Sequence, residues 1–351
     1  MTVNVSKPAL NVREKLAELD KPAGIAGEAM LRAETPQEQQ ALIGVGRRNL
    51  ILNGDFKISQ RGDFSSATAI THDNYYVDRW SVRVTNITAN IQHIIGSNAS
   101  PGYPYKASNS LRLTATNTAS GVLRHLQRTE GFLDGQTLTF SAWVKSNSPN
   151  ARLFQYQHDG QYRVSSKAHS GNGQWEFLSV TAINKATTAN QIYNDAAIAS
   201  STFGNVSITT GDYIEISEAQ LEINNVVTPF EHRSYGEELA LCQRYFQSVY
   251  SDISSAAAGR GASGGDASVN VFPVPVALRA SPTVTNTGSV YLYDGNSRAN
   301  AAPTSVTVSN YPTNGSIISL YYAFSNVVCD DDRVNMLASY GSNSLTLDAE
   351  L

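Results

Sequence analysis

The sequence predicts a mainly β protein: a jelly-roll β-sandwich, then a smaller β-sandwich domain, with a short helical segment ahead of both. Three observations carry this reading. Only 16% of the 351 residues are charged, against roughly 25% in an average soluble domain, and Ser, Thr, Asn, Gly and 17 Tyr fill the difference. From Asn49 onward apolar residues return at every second position, the period of a half-buried strand. Charge is also unevenly placed: residues 1–49 hold 13 charged side chains and the other 302 residues only 43, a contrast that separates modules.

Residues 1–48 read as an extended lead followed by two or three small helices. Asn11 is placed to cap VREKLAEL, which ends before Asp20-Lys21-Pro22. The clearest start is Thr35-Pro36-Gln37-Glu38, with Thr35 as N-cap, Pro36 in the first helical position and Glu38 closing a capping box. That helix stops at Gly44 or Gly46. A segment this short with so few large apolar side chains cannot stabilise itself. It is expected to order against another copy or a partner.

The strands follow. In TLTFSAWVKS, Leu138, Phe140, Ala142 and Val144 share one phase, and Thr139, Ser141, Trp143 and Lys145 the other. SLRLTAT, WEFLSVTA and YIEISEAQLEI are further strands. In the last, the apolar phase shifts between Ile216 and Ala219, which predicts a bulge near Ser217-Glu218. Turn clusters at 97–102, 134–135, 146–149 and 170–173 space these strands as in a sandwich.

Residues 234–250, SYGEELALCQRYFQSVY, read as a short helical turn entering a strand. SSAAAGRGASGGDAS has linker composition, though a long loop inside the last domain would read the same. Short strands return in SVNVFPV, SVYLYDG, SVTVSN, SIISLYYAF and SLTLDAEL. The predicted organisation is a leader at 1–48, a jelly roll at 49–235, a connector at 236–268 and a small β domain at 269–351.

Several functions find no support in the residues. A net charge of −4 and a pI near 5.9 leave no electrostatic footprint for nucleic acid. No apolar run approaches the ~18 residues that span a membrane, and the N-terminus lacks the apolar core of a signal peptide. The chain is expected to be soluble and made in a cytoplasm. Cys242 and Cys329 sit in no C-x-x-C pattern and read as free buried thiols. The six histidines, His72, His93, His125, His158, His169 and His232, show no metal-ligand spacing. GRGASGG matches a phosphate loop only in glycine content, and no catalytic residue or nucleophile elbow is found.

Paired carboxylates matter because cleaving a glycosidic bond takes two of them across it. Glu215, Glu218 and Glu222 are spaced as a solvated strand face. Asp330-Asp331-Asp332 reads as a charged turn, with calcium as its alternative.

Aromatic residues give the better lead, because sugar rings stack their C–H faces on Trp and Tyr. Trp143 lies on the polar phase of its strand, where a ligand can reach it. Tyr75, Tyr76, Tyr103 and Tyr105 fall in expected loops, and Tyr156 and Tyr162 flank His158-Asp159-Gly160. These seven are the candidate glycan contacts. Trp80 and Trp175 read as core.

The order of motifs along the chain resembles a known family. NLILNGDFKISQRG followed by VDRW resembles the opening of a jelly-roll module in tail fibre and other virion proteins of tailed bacteriophages, itself similar to carbohydrate-binding modules. FSAWVKS and QWEFLSV match its inner strands, EISEAQLEINNVVTPFEHRSYGEELALCQRYFQ its closing segment, and FPVPVALRASPTV the start of a small β domain that often follows. The leader looks like the virion-attachment segment of marine podovirus fibres.

The resemblance implies a non-enzymatic tail fibre or adaptor, resident in the virion tail. It would be a homotrimer, held to other tail proteins through residues 1–48, and would bind host surface glycan. A purely structural tail protein and a polysaccharide depolymerase are the rival readings. The resemblance also implies that residues 49–52 form the first strand, that Asn53-Gly54 breaks it, and that Phe56 returns to the core. Related modules bind a structural calcium through an acid just after the Asn-Gly-x-Phe element. Lys57 stands there instead, so no cofactor is expected, with Asp55 the remaining carboxylate.

Overall fold

The alternating residues become strands in the computed structural model. It describes residues 48–96, 109–130, 135–157, 163–184, 191–250, 257–261, 267–287, 290–293, 298–301, 305–310, 317–323, 334–339 and 344–350. The helices predicted for the leader lie outside the described residues. Apart from Arg48, the described residues belong to one unit, Asn49–Leu351.

In chain order the first strands are β1 (Thr68–Ala69), β2 (Asn74–Val77), β3 (Trp80–Thr85), β4 (Ala89–Ile94), β5 (Ser110–Ala115), β6 (Ala119–Glu130) and β7 (Thr137–Ser146). There follow β8 (Ala151–Gln157), β9 (Val164–Ser165), β10 (Trp175–Ile183), β11 (Gln191–Ile198), β12 (Val206–Ile208) and β13 (Tyr213–Ile223). They make two facing sheets, ordered β1-β4-β5-β13-β7-β10 and β2-β3-β6-β11-β8-β9, with β12 added on β6. Every pairing is antiparallel. The apolar phases meet between the sheets: Ile91, Leu113, Phe140, Val144, Leu153, Ile214 and Trp80 are fully buried in one core. The predicted bulge is present, since β13 slips register against β7 between Ser217 and Gln220 and Glu218 takes a φ of 50°.

Residues 49–52 correct an expectation, for they form no strand. Leu50 N–H donates to the Leu221 carbonyl of β13 (2.8 Å), and side chains take the other hydrogen bonds a neighbouring strand would supply. Asn49 Oδ1 accepts from the N–H groups of Ile51 (2.9 Å) and Leu221 (3.0 Å), Gln127 Oε1 from Leu52 N–H (2.8 Å), and Glu238 Oε1 from Asn53 N–H (2.6 Å). Asn53 holds a left-handed φ of 55°, which Asn tolerates. Its carbonyl accepts the Trp80 indole N–H at 3.0 Å. Phe56 is buried as expected, 5.1 Å from the Trp80 ring. Lys57 Nζ sits 2.7 Å from Asp55 Oδ2 and donates to the Arg233 carbonyl at 2.7 Å, so the lysine itself places a cation on that carboxylate.

Helix α1 (Tyr235–Gln243), capped by the Ser234 hydroxyl, aims the buried Glu238 at this segment and buries Cys242. A smaller β-sandwich follows: β14 (Phe246–Tyr250), β15 (Ala257–Gly261), β16 (Ala267–Pro273), β17 (Thr283–Thr287), β18 (Val290–Tyr293), β19 (Arg298–Ala301), β20 (Ser305–Asn310), β21 (Ile317–Ala323), β22 (Val334–Ser339) and β23 (Ser344–Asp348). Its sheets run β14-β23-β17 and β19-β18-β22-β15-β16-β21-β20. Part of the stretch with linker composition is thus strand β15, paired with β16 and β22. The ladder uses only backbone N–H and C=O groups, which Ala and Gly carry as well as Val does.

Because β14 pairs with β23, both ends of this domain return to one place beside the jelly roll. There Arg61 pairs with Asp348 (2.9 Å) and Glu350 (3.1 Å), and Arg79 pairs with Glu350. The Arg79 guanidinium also lies 3.5 Å over the Tyr245 ring.

Candidate functional site

The alternation of β7 sends Thr139, Ser141, Trp143 and Lys145 to the outer face of the six-stranded sheet. Register then decides what stands beside Trp143: Phe177 on β10 and Ser217 on β13. Trp143 and Phe177 meet edge to face at 5.3 Å, and Phe177 keeps 39% of its surface exposed on the outermost strand.

Residues 224–233 fold back over the same face and build the opposite wall. Gln220 Oε1 accepts from Glu231 N–H (2.8 Å), and Gln220 Nε2 donates to the Thr228 carbonyl (3.2 Å). Glu222 accepts from the Thr228 N–H (3.1 Å) and hydroxyl. The result is a groove of about 190 Å³ with Trp143, Phe177 and Phe230 as aromatic walls and with Ser141, Glu218 and Gln220 also in its lining. Among the described residues Glu218 is the single carboxylate of that lining.

The adjoining row runs Arg112, Glu215, Lys145, Trp175 across β5, β13, β7 and β10. Glu215 accepts from Ser110 Oγ (2.6 Å) and from Arg112 Nε (2.9 Å) and Nη2 (2.5 Å). Burial holds the Lys145 ammonium below the ordinary lysine range, with the Glu215 carboxylate opposing. Its Nζ lies 6.0 Å from the Trp175 ring centre. The three glutamates spaced like a solvated face are therefore buried, because the returning segment covers Glu222 and partners enclose Glu215, while Glu218 lies in the bulge.

Among the described residues the predicted aromatic side chains do not converge. Trp143 lines the groove. Tyr75 and Tyr76 lie in β2 rather than a loop. The Tyr76 ring is buried edge-on against Phe64 at 5.4 Å, with its hydroxyl accepting from Thr71 N–H. Tyr75 stands at the junction of the two domains under the Arg61 guanidinium (5.1 Å), where burial pushes its phenol up to about 12. Tyr156 is buried on the other sheet, stacked on Tyr193 at 5.0 Å, its hydroxyl donating to Asp195 (3.1 Å) and accepting from Arg124 (2.6 Å). Tyr103, Tyr105 and Tyr162 lie outside the described residues. Trp175, read as core, stands half-buried on the outer face, since it shares the phase of Phe177 and not that of Leu178 and Val180.

Sequence reasoning missed Phe177, Gln220 and Phe230, and assigned Glu218 to a solvated strand face. Phe177 had a signal, an aromatic residue on the outer phase of an alternating strand. Phe230 had none, because only the return of its segment over the sheet brings it there. Among the described residues no cluster of three or more His, Cys, Asp or Glu side chains could hold a metal, and no helix is long and apolar enough to cross a membrane.

No family model and no curated protein sequence matches this chain. Solved structures with some likeness include TmCBM61 in complex with β-1,4-galactotriose, at 17% identity and a TM-score of 0.31, covering 51% of this chain and all of that one. Another is the enzymatically active domain of bacteriophage CBA120 tailspike protein 4, at 14% identity and a TM-score of 0.33 over 50% of this chain. The likeness spans 21% of that tailspike structure. A CBM29-2 variant complexed with mannohexaose shows 11% identity and a TM-score of 0.27, over 47% of this chain and 98% of its own.

Proposed function

We propose that this chain is a non-enzymatic glycan-binding protein of a bacteriophage tail, a fibre or adaptor that attaches the particle to host surface polysaccharide. The observation that supports glycan binding is the groove of Trp143, Phe177 and Phe230. It offers apolar faces to sugar C–H groups and, in Glu218, a carboxylate acceptor for hydroxyls. One lining carboxylate, rather than a facing pair, favours retention of the glycan over its cleavage. The phage assignment rests on the ordered motifs from NLILNGDFKISQRG to FPVPVALRASPTV. In this reading residues 1–48 join the tail, residues 49–235 form the receptor module, and a homotrimer turns weak sites into firm attachment through multivalency.

Two measurements test it. Trp143→Ala in the full chain should weaken binding to host polysaccharide by about 1 to 3 kcal/mol, the scale of a lost aromatic anchor. Its thermal midpoint should stay with the parent's. Unchanged affinity in a folded variant would remove the groove as the site and favour a purely structural role. Separately, antibody against the chain should decorate tails in electron micrographs of the particles that carry it. Decoration elsewhere, or none, would reject the tail assignment.

A further inference from the structure

The opposite sheet presents a second surface of different chemistry. Register places Arg83, Arg124, Ala197 and Arg152 in one row across β3, β6, β11 and β8. Four residues along the strands, Arg128, Tyr193 and Tyr156 form a parallel row on the same face, bounded by Arg163 beside β9. An apolar patch of Leu126, Phe154, Tyr156 and Tyr193 lies between and under these rows, with Phe203 packed on it.

The arginines lie over these rings. Arg163 stands 4.7 Å from the Tyr156 ring centre and 4.4 Å from that of Phe203, Arg124 is 4.9 Å from Phe203, and Arg128 is 5.5 Å from Tyr193. A guanidinium held over a ring loses little freedom when it binds, and its in-plane N–H groups still point outward.

Charge on this face is unbalanced. Among the described residues the five guanidinium groups of this face meet three carboxylates: Asp195 bound to Arg124 (2.7 Å), Asp73 bound to Arg83 (2.6 Å) and 3.7 Å from Arg128, and Glu130, which is paired with Arg279. Among the described residues arginine thus outnumbers carboxylate on one face of a chain whose net charge is −4. Among the described residues neither Arg152 nor Arg163 has a carboxylate partner. Arg152 donates to the Ser166 carbonyl at 3.2 Å, and its buried Nε has no acceptor.

We propose that this face is a second binding site, taking an acidic polysaccharide whose carboxylate, sulfate or phosphate groups are held by Arg152 and Arg163. Guanidinium groups bind such anions through paired N–H donors. The row from Arg83 to Arg152 spans roughly 14 Å at the usual strand spacing, which suits an extended polymer with repeated anions better than one small ligand. The site lies on the other sheet from the groove, so the two readings stand or fall separately.

The test titrates the full chain with dextran sulfate and polygalacturonate, against uncharged dextran. At least one charged polymer should bind, and about tenfold more weakly once salt is raised enough to screen exposed charges. The pair Arg152→Gln and Arg163→Gln should reduce that affinity about tenfold, Arg152→Lys with Arg163→Lys should recover most of it, and Trp143→Ala should not change it. Arg163→Gln alone, at an exposed position, should give a partial loss and guards against misfolding of the pair. Absence of binding by both charged polymers at low salt, or binding indifferent to the arginine substitutions, would overturn the proposal. So would equal or tighter capture of polyglutamate or duplex DNA, which would assign the face to another class of polyanion.

Discussion

Gly54→Ala should destabilise the protein by about 3 kcal/mol, the upper range for forcing one methyl group into a packed site. A Cβ at Gly54 would stand 2.1 Å from the Ala219 carbonyl oxygen and 3.3 Å from the Phe230 ring. The first contact is with backbone, which has no rotamer to yield. Ala219 N–H also donates to the Gly54 carbonyl at 2.9 Å, so moving apart breaks the bond that locks this segment onto the bulge of β13. Because Phe230 walls the groove, whatever relaxation occurs should also loosen glycan binding. Gly236→Ala is the matched control: its added Cβ meets nothing within 4 Å, and Ala favours a helix over Gly. Chemical denaturation of both variants decides the matter. A loss under about 1 kcal/mol for Gly54→Ala would mean that the two segments are not held as closely as described.

The second large effect is one of pH. His125 is wholly buried, its Nε2–H reaches the Ile214 carbonyl at 3.5 Å, and its Nδ1 has no partner. Burial pushes this imidazole down to about 3, from an ordinary value near 6.5. As pH falls below about 6.5 the unfolded chain gains a proton there that the folded chain refuses until about pH 3. Stability is therefore complete above that window and is lost by about 1.4 kcal/mol per pH unit within it.

Asp78 acts in the opposite sense. Burial raises its carboxyl to about 6, so the folded chain binds a proton before the unfolded chain does. This group adds stability as pH falls from about 6 to 4, by roughly 3 kcal/mol. Between about pH 6 and 4 the contributions of these two groups offset each other. His125→Leu should remove the losing contribution, so its stability relative to the parent should climb by about 3 kcal/mol from pH 6.5 to pH 4. Denaturant titrations at pH 7 and pH 4 measure that difference, and an unchanged difference would discard the argument.

Some of this architecture is written locally. Alternation in TLTFSAWVKS and SLRLTAT fixes both the strand and the side each residue faces, because successive side chains must point to opposite faces. The same rule put Trp143 outside, and the break in phase before Ala219 announced the bulge. Where the rule was not applied, the reading failed: Trp175 was assigned by residue type and not by phase. Residues 49–52 failed for another reason. Their apolar run looks like a strand, but the side chains of Asn49, Gln127 and Arg233 take most of their backbone hydrogen bonds, and the last two lie far along the chain.

Local alternation places the period-two skeleton and the outward phase of Trp143, residue type places Trp80 in the core, and the family resemblance places Phe56 there. Long-range packing puts Phe230 over Trp143 to close a groove, gathers arginines from β3, β6 and β8 and beside β9 on one face, and makes β15 a strand. Alternation is a property of neighbouring residues and survives in any fold. Which strands become neighbours, and which segment returns over a sheet, depends on contacts between residues tens to hundreds of positions apart, and no local period records them.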